Sequence, residues 1–238
     1  MESEKQQVDI YGDILEEFKM RVLELFAGTR SIGKAFERVG HEVYTIEIDP
    51  SFENISWYED IMKVTAKDIL ERFGQPDVIW ASPPCQSYSV SAIYYHRTKN
   101  KETGECEAKT DFARQSDELV RHTLELIKEL NPQLFYIENP CAGLRTMQFM
   151  KDIPRFTVTY DMYGDTRMKK TDIWSSHPNP NFLPCSKSGD KTHVAAPRGS
   201  KTPGSTQGLK DAKERSRIPD KFCDYIVSIS EDYIYKTK

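Results

Sequence analysis

Three stretches of this 238-residue sequence carry side chains able to do chemistry on a ligand. The first is Asp77-Val-Ile-Trp-Ala-Ser-Pro-Pro-Cys-Gln-Ser-Tyr-Ser89, in which Cys85 follows two prolines. An ionised thiol is a strong nucleophile. Pro83 and Pro84 fix two φ angles and restrict the residue before each, so stiff backbone holds the thiol. The plainer reading is a small apolar residue finishing a core strand, the usual fate of a free cysteine. The second stretch is Glu138-Asn139-Pro140, a carboxylate and an amide directly after the apolar run Leu134–Ile137. The third is the turn Phe26-Ala27-Gly28-Thr29, followed about twenty positions later by Glu47, the spacing of a ribose-binding carboxylate. An acidic residue capping a solvent-facing loop is the alternative for Glu47.

The elements that must position these residues alternate between strand and helix. Val78 to Ala81 is an apolar run suited to a central strand of a parallel sheet covered on both faces, which puts Cys85 just beyond its carboxyl end. Open α/β sheets bind their ligands there. Leu134 to Ile137 is a second such strand, and the β-α alternation predicts that the two are neighbours, with Glu138 near Cys85. Val22 to Phe26, the Gly28 turn and a helix from near Ser31 form a strand-turn-helix unit whose helix N-terminus offers amide groups to a ligand. Glu42 to Ile48 is a strand, Thr65 to Phe73 a helix stopped by Gly74, and Asp111 to Leu130 a helix with an apolar stripe of Phe112, Leu119, Leu124, Ile127 and Leu130. Residues 8 to 20 read as an amphipathic helix carrying Ile10, Ile14, Leu15 and Phe18. Phe156 to Met162 and Asp172 to Ser175 read as later strands, and Ile218-Pro219 opens a final helix with Phe222, Tyr225, Ile226 and Ile229. The fold class is α/β, a Rossmann-like sheet with helices on both faces.

Hydrophobic content of 38% with 29% charged residues is that of a globular protein with one main core. No apolar run reaches membrane-span length and the N-terminus carries no signal-peptide pattern, so an intracellular, cytoplasmic protein is expected. Five scattered cysteines without a Cys-x-x-Cys pair indicate neither a disulfide framework nor a metal cluster. The net charge of -4 argues against indiscriminate coating of nucleic acid. Its distribution is uneven. Residues 175 to 215 hold five prolines, four glycines and seven Lys or Arg against three Asp or Glu, a segment of +4 that leaves the rest at -8. Such asymmetry suits an appendage that meets a polyanion, or else a solvated insertion. The expected division is therefore a catalytic and cofactor-binding part (1–174), a small basic insertion (175–215) and a C-terminal helix (216–238). The polar stretch from His96 to Lys109 reads as a mobile loop beside Cys85, either placed to close on a phosphate backbone or simply a solvated surface loop.

Taken in order, these motifs resemble the cytosine-5 DNA methyltransferases, particularly their short phage and viral forms. Phe26-Ala-Gly28 is similar to the family's cofactor loop, Glu47 to its ribose carboxylate, Asp60-Ile61 to its adenine-contacting pair, Pro84-Cys85-Gln86 to its nucleophile turn, and Glu138-Asn139 to its catalytic carboxylate motif. The Ile218-Pro219 helix resembles the segment that closes the cofactor pocket. The resemblance covers about residues 22 to 230, and the joint occurrence is more specific than any one piece. It implies S-adenosylmethionine as methyl donor, held by Phe26, Gly28, Thr29, Ser31, Ile32, Glu47, Ile48, Asp60, Ile61 and Pro83. It implies double-stranded DNA as partner, with a cytosine flipped into the pocket. Cys85 would attack ring carbon 6 while Glu138, with Asn139, stabilises the charge at ring nitrogen 3. Gln86, Ser89, Arg97, Lys169, Lys170 and, in the basic segment, Arg198 would face the nucleic acid.

The chain departs from the family at Arg30 and Ser31, where further glycines are usual, and at Pro140, where valine is commoner. Arg167-Met-Lys169-Lys170-Thr171 replaces a Gln-x-Arg-x-Arg motif, leaving open which lysine stands beside Glu138. Two rival readings are an RNA cytosine methyltransferase and a degenerate protein that binds S-adenosylmethionine or nucleic acid without catalysis. The Ser82-Pro83-Pro84 run also resembles the amino-methyltransferases, but those carry an aromatic residue where Cys85 stands.

Overall fold

A computed structural model describes residues 19–187 and 211–237. The expected helix over residues 8 to 20, Arg198 and most of the basic segment lie outside the described residues. Seven strands form one sheet: β1 (Arg21–Leu25), β2 (Glu42–Glu47), β3 (Trp57–Tyr58), β4 (Val78–Ala81), β7 (Leu134–Pro140), β8 (Arg155–Thr159) and β9 (Lys170–Ser175), ordered β3-β2-β1-β4-β7-β9-β8. The first five strands of that order pair in parallel, and β9 and β8 close the far side antiparallel. An α/β class with a central parallel sheet is what the alternation of elements predicts, and β4 and β7 are neighbours.

Side-chain alternation along the strands divides the core into two layers. Val78 and Trp80 point to one face with Val22, Tyr136 and Phe222, under helices α1 (Ser31–Arg38) and α6 (Asp220–Thr237). Ile79 and Ala81 point to the other with Leu23, Leu25 and Ile137, under α2 (Ala66–Phe73) and α4 (Asp111–Leu130). All four residues of β4 are buried, which is why its sequence is a continuous apolar run rather than an alternating one. Local signals set the helix ends. Thr65 and Asp68 form a capping box before α2, and Gly74 ends it at φ +74°. Thr110 caps α4, and Asn131 leaves it in the left-handed region ahead of Pro132.

Several expectations are corrected. The stripe of α4 is wider than expected and starts later: Ile127 and Leu130 are buried and Leu119 and Leu124 pack on the core as expected, Ala113, Val120, Thr123 and Leu126 join them, and Phe112 is exposed. The strand expected over Phe156–Met162 ends at Thr159, and Tyr160–Tyr163 is a 3-10 turn. Described residues 176–187, expected to belong to a loop-rich insertion, lie against the core: Phe182 packs on Phe222, and the Ser186 amide donates to Thr159 Oγ1 at 2.9 Å.

The stretch expected as a polar loop is instead a short helix, α3 (Ile93–His96), running into a two-stranded hairpin of β5 (Arg97–Lys99) and β6 (Cys106–Ala108). Its tether is Arg97, whose side chain is fully buried rather than available to phosphate. The guanidinium donates to Asp117 Oδ1 at 2.7 Å, Ser87 Oγ at 3.0 Å and the carbonyls of Ser87, Cys106 and Ala113, and it stacks 4.0 Å from the Tyr88 ring centre. Tyr88 donates its hydroxyl to the same Asp117 at 2.6 Å. This network ties the chain after Cys85 to α4. Removing the cation strands a carboxylate and several buried carbonyls, so Arg97→Ala is expected to cost roughly 3–5 kcal/mol in urea denaturation. Arg97→Lys should restore only part of this, because an ammonium cannot reproduce the planar fork.

Candidate active site

Beyond β4 the chain turns sharply over the sheet edge. The Ser82 amide donates to Leu25 O at 3.2 Å, and Trp80 Nε1 donates to Ser82 Oγ at 2.8 Å. Asn139, fully buried on β7, donates from Nδ2 to the Pro83 carbonyl at 2.9 Å. The Cys85 carbonyl then accepts from the amides of Tyr88 (3.0 Å) and Ser89 (2.8 Å). Proline rings fix the approach to Cys85, and these bonds fix its exit. The thiol is partly exposed at the turn's tip.

Glu138 reaches the same place from the neighbouring strand. Tyr160 Oη donates to its Oε1 at 3.0 Å, and Lys169 Nζ stands 3.6 Å from that oxygen and 5.1 Å from the Tyr160 ring centre. Lys169, and not Lys170, is thus the cation beside Glu138. Lys170 is exposed at the start of β9, and Arg167 is spent on Asp165. Burial pushes the Cys85 thiol above its ordinary value, the charge of Glu138 adds to that, and Lys169 opposes it.

The glycine turn supplies the third side. Phe26 and Gly28 both have positive φ, +58° and +47°, so the chain reverses tightly between β1 and α1. Glu47 Oε2 accepts from the Gly28 amide at 2.9 Å, and Oε1 accepts from the amides of Ile48 and Asp49, each at 3.0 Å. A carboxylate has about four acceptor positions, so one remains for a ligand hydroxyl. The helix N-terminus is not open, contrary to expectation. Glu24, buried on β1, accepts from the amides of Ile32 (3.3 Å) and Gly33 (3.0 Å), and its Oε2 fills the space a Cβ on Gly33 would need. Burial raises the Glu24 carboxyl to about 7 despite those two amides. Glu24 escaped sequence reading, although a lone charge in Val22-Leu-Glu-Leu-Phe26 was the available signal.

These side chains line two adjoining cavities. The larger, about 180 Å³, is bounded by Glu24, Gly28, Pro83, Cys85, Glu138 and Lys169. Thr29, Ser31 and Gln86 lie on its rim, and Ser216 and Ile218 close it from the C-terminal side. The smaller, about 60 Å³, is an apolar slot of Phe26, Ile48, Ile61 and Leu119, with Glu47 and Asp60 at its edge. Phe26 and Pro84 line both, so the two adjoin. A more voluminous hollow, about 520 Å³ between Gly164 and Lys221, contains neither Cys85 nor Glu138.

Of the residues expected to act, Ile32 is withdrawn from the site: its side chain is in the core and its amide is taken by Glu24. Asn139 lines neither cavity and acts on Pro83 rather than on a ligand. Arg97 is withdrawn for its burial, Lys170 lines neither cavity, and Ser89 bonds to Ser91 at 3.1 Å outside both. Tyr160 had no sequence signal linking it to Glu138, 22 residues away. No group of three or more His, Cys, Asp or Glu among the described residues is arranged to hold a metal ion.

The profile of the C-5 cytosine-specific DNA methylases matches residues 20–161, more than half of the chain and every strand and turn of the site except Lys169 and the C-terminal closure. The chain belongs to that family of methyltransferases. A Frog virus 3 (isolate Goorha) protein named "Probable DNA (cytosine-5)-methyltransferase" is 31% identical over 164 residues, covering 66% of this chain and 70% of the viral one. Among solved structures, the methyltransferase EhMeth of Entamoeba histolytica is 16% identical with a TM-score of 0.48, over 71% of this chain and 57% of its own. A DNMT2 mutant of Spodoptera frugiperda is 16% identical with a TM-score of 0.42, over 65% and 49%. This chain therefore spans about half the length of those two solved relatives.

Two consequences can be measured. Lys169→Met should move the pH midpoint of Cys85 alkylation by iodoacetamide upward and Glu138→Gln should move it downward, read by mass spectrometry of the Cys85 peptide. An unchanged midpoint in both variants would show that neither charge acts on the thiol. For Glu24, the folded chain holds its proton to about pH 7 while the unfolded chain releases it near 4.5, so this group makes stability fall as pH rises between those values. Glu24→Gln should flatten that part of the profile in denaturation at each pH.

Proposed function

We propose that this methylase transfers a methyl group from S-adenosylmethionine to ring carbon 5 of a cytosine in DNA, through a covalent bond to Cys85. The observation that carries this reading is the convergence of Cys85, Glu138 and Lys169 on one cavity beside the Phe26–Glu47 slot. The residues fit the cofactor. Phe26, Ile48 and Ile61 offer apolar faces to a purine, Asp60 an acceptor for its amine, and Glu47 a spare lone pair for a ribose hydroxyl. Glu24 takes the two helix N-terminal amides that an anion would need, and the ammonium of a methionine moiety would favour its ionised form. When bound, S-adenosylmethionine supplies an electrophilic methyl group.

Carbon 5 of cytosine is too poor a nucleophile to take that group unaided. Cys85, as thiolate, adds through Sγ to carbon 6 and pushes electron density toward carbon 5. Glu138 stabilises the ring at nitrogen 3 and the exocyclic amine as charge develops there, while Tyr160 and Lys169 hold the carboxylate in place. Once carbon 5 carries the methyl group, loss of its proton expels the Cys85 thiolate and restores the aromatic ring. Burial disfavours the thiolate, and Lys169 is the described residue that offsets this. For a cytosine to reach Cys85 and Glu138 in this cavity it would swing out of the duplex, as the resemblance to the family implies. The basic segment containing Arg198 would contact the DNA around it.

Bisulfite sequencing of unmethylated plasmid, after incubation with protein and S-adenosylmethionine, is expected to reveal methylated cytosines and their sequence context. Cys85→Ser should lose the activity and still bind the cofactor. DNA containing 5-fluorocytosine should trap the Cys85 adduct, because fluorine cannot leave as a proton. Methylation confined to RNA would overturn the DNA assignment, and undiminished activity of Cys85→Ser would overturn the covalent step.

A further inference from the structure

Two donors meet a single oxygen of the Glu138 carboxyl. Tyr160 Oη donates to Oε1 at 3.0 Å, and Lys169 Nζ stands 3.6 Å from the same atom. Among the described residues, every donor that reaches the Glu138 side chain does so at Oε1. The two are fixed relative to one another, because the Tyr160 amide donates to the Lys169 carbonyl at 3.2 Å and the Lys169 ammonium lies 5.1 Å from the Tyr160 ring centre. The tyrosine ring is fully buried, 5.6 Å from the ring of Phe222. Burial pushes release of the phenolic proton well above its ordinary value and the charge of Glu138 adds to that, so Tyr160 remains a donor.

A protonated carboxyl has one donating and one accepting oxygen, and their order decides what it can face. At Oε1 the Tyr160 hydroxyl already donates, and the adjoining ammonium repels a second proton. The proton of Glu138 is therefore kept to Oε2. Lys169, at 3.6 Å, is too distant to fill a lone pair, so Oε1 can still accept one further hydrogen bond. Glu138 thus offers a base in the cavity it shares with Cys85 a donor at Oε2 beside an acceptor at Oε1.

Cytosine presents the complement, an acceptor at ring nitrogen 3 beside the donating exocyclic amine. Uracil presents the reverse, a donating nitrogen 3 beside a carbonyl oxygen, and sets donor against donor and acceptor against acceptor. We propose that Tyr160 is a positioning residue for base selection: by holding Oε1 as an acceptor, with Lys169 alongside, it orders the Glu138 carboxyl to take cytosine and reject uracil. This rests on the reading that Cys85 adds to a cytosine in this cavity. As the bond from Sγ to carbon 6 forms, the displaced π electrons pass through carbon 4 to nitrogen 3, which takes the proton from Oε2. The carboxylate left ionised keeps both donors at Oε1, so its charge is met where it develops. Without the Tyr160 hydroxyl, Lys169 alone keeps the proton off Oε1, and a carboxyl protonated there would match uracil.

The test incubates the unaltered protein, Tyr160→Phe and Lys169→Met with S-adenosylmethionine and target duplexes carrying either 5-fluorocytosine or 5-fluorouracil at the methylated position. Each Cys85 adduct is trapped by the fluorine, and its rate of formation is read on denaturing gels. The quantity compared is the ratio of the two rates, which a merely structural loss leaves unchanged because it slows both bases alike. Tyr160→Phe keeps the ring and removes the donor, and is expected to lower the preference for cytosine roughly 2- to 12-fold, the effect of one hydrogen bond. Lys169→Met should lower it as well, and its ratio decides the matter if Tyr160→Phe fails to fold, as judged by thermal melting and S-adenosylmethionine affinity. An unchanged ratio in the folded variants, or a fluorouracil adduct absent from all three proteins while fluorocytosine is trapped, would overturn this role for Tyr160 and leave the methylation reading standing. An unaltered protein that traps neither base would overturn both.

Discussion

The parallel register of β4 against β7 places the nucleophile beside its carboxylate. Ala81 lies opposite Ile137, so Glu138 and Asn139 extend one and two residues past the last paired residue of β4, level with the start of the proline turn. Asn139 uses that position to hold Pro83, and Glu138 uses it to face the cavity. A register slip of one residue would exchange the two side chains between faces of the sheet, sending the carboxylate away from Cys85.

The antiparallel strands on the far side complete the site for a topological reason. Because β9 runs against β7, with Thr171 opposite Pro140, the residues just before β9 arrive at the carboxyl end of β7. Because β8 runs against β9 in turn, with Thr159 opposite Lys170, the residues just after β8 arrive there as well. Lys169 and Tyr160 converge on Glu138 from opposite chain directions for this reason. The same edge receives Ile218 from the segment before α6, whose amide donates to Ser31 Oγ at 3.3 Å.

Buried charge is used to hold turns rather than to add stability. Glu24 fastens β1 to α1 on either side of the Gly28 turn, Arg97 fastens the nucleophile turn to α4, and Arg145 donates to the fully buried Asp172 beside β7. Each such group carries a desolvation cost that only complete hydrogen bonding offsets, so each restricts its loop to one arrangement. For Arg97, every side-chain nitrogen has a partner, and together they hold the chain after Cys85 against α4.

Local signals in the sequence determined the strand-turn-helix units, the helix ends after Phe73 and Leu130, and the candidacy of Cys85, Glu138 and Glu47, because capping, proline restriction and apolar periodicity act between residues close in the chain. They also indicated that β4 and β7 adjoin, through the β-α alternation. Tertiary structure alone decided what each charge does. Arg97, basic and in a polar stretch, reads as a surface residue until Asp117 and Ser87 close over it. Lys169 and Lys170 are indistinguishable by type, and only their places at the start of β9 turn one toward Glu138 and leave the other exposed. Glu24 and Tyr160 acquire their partners across 9 and 22 residues. The physical reason is common to all four: a charge is valued by its surroundings, and those are assembled from distant parts of the chain.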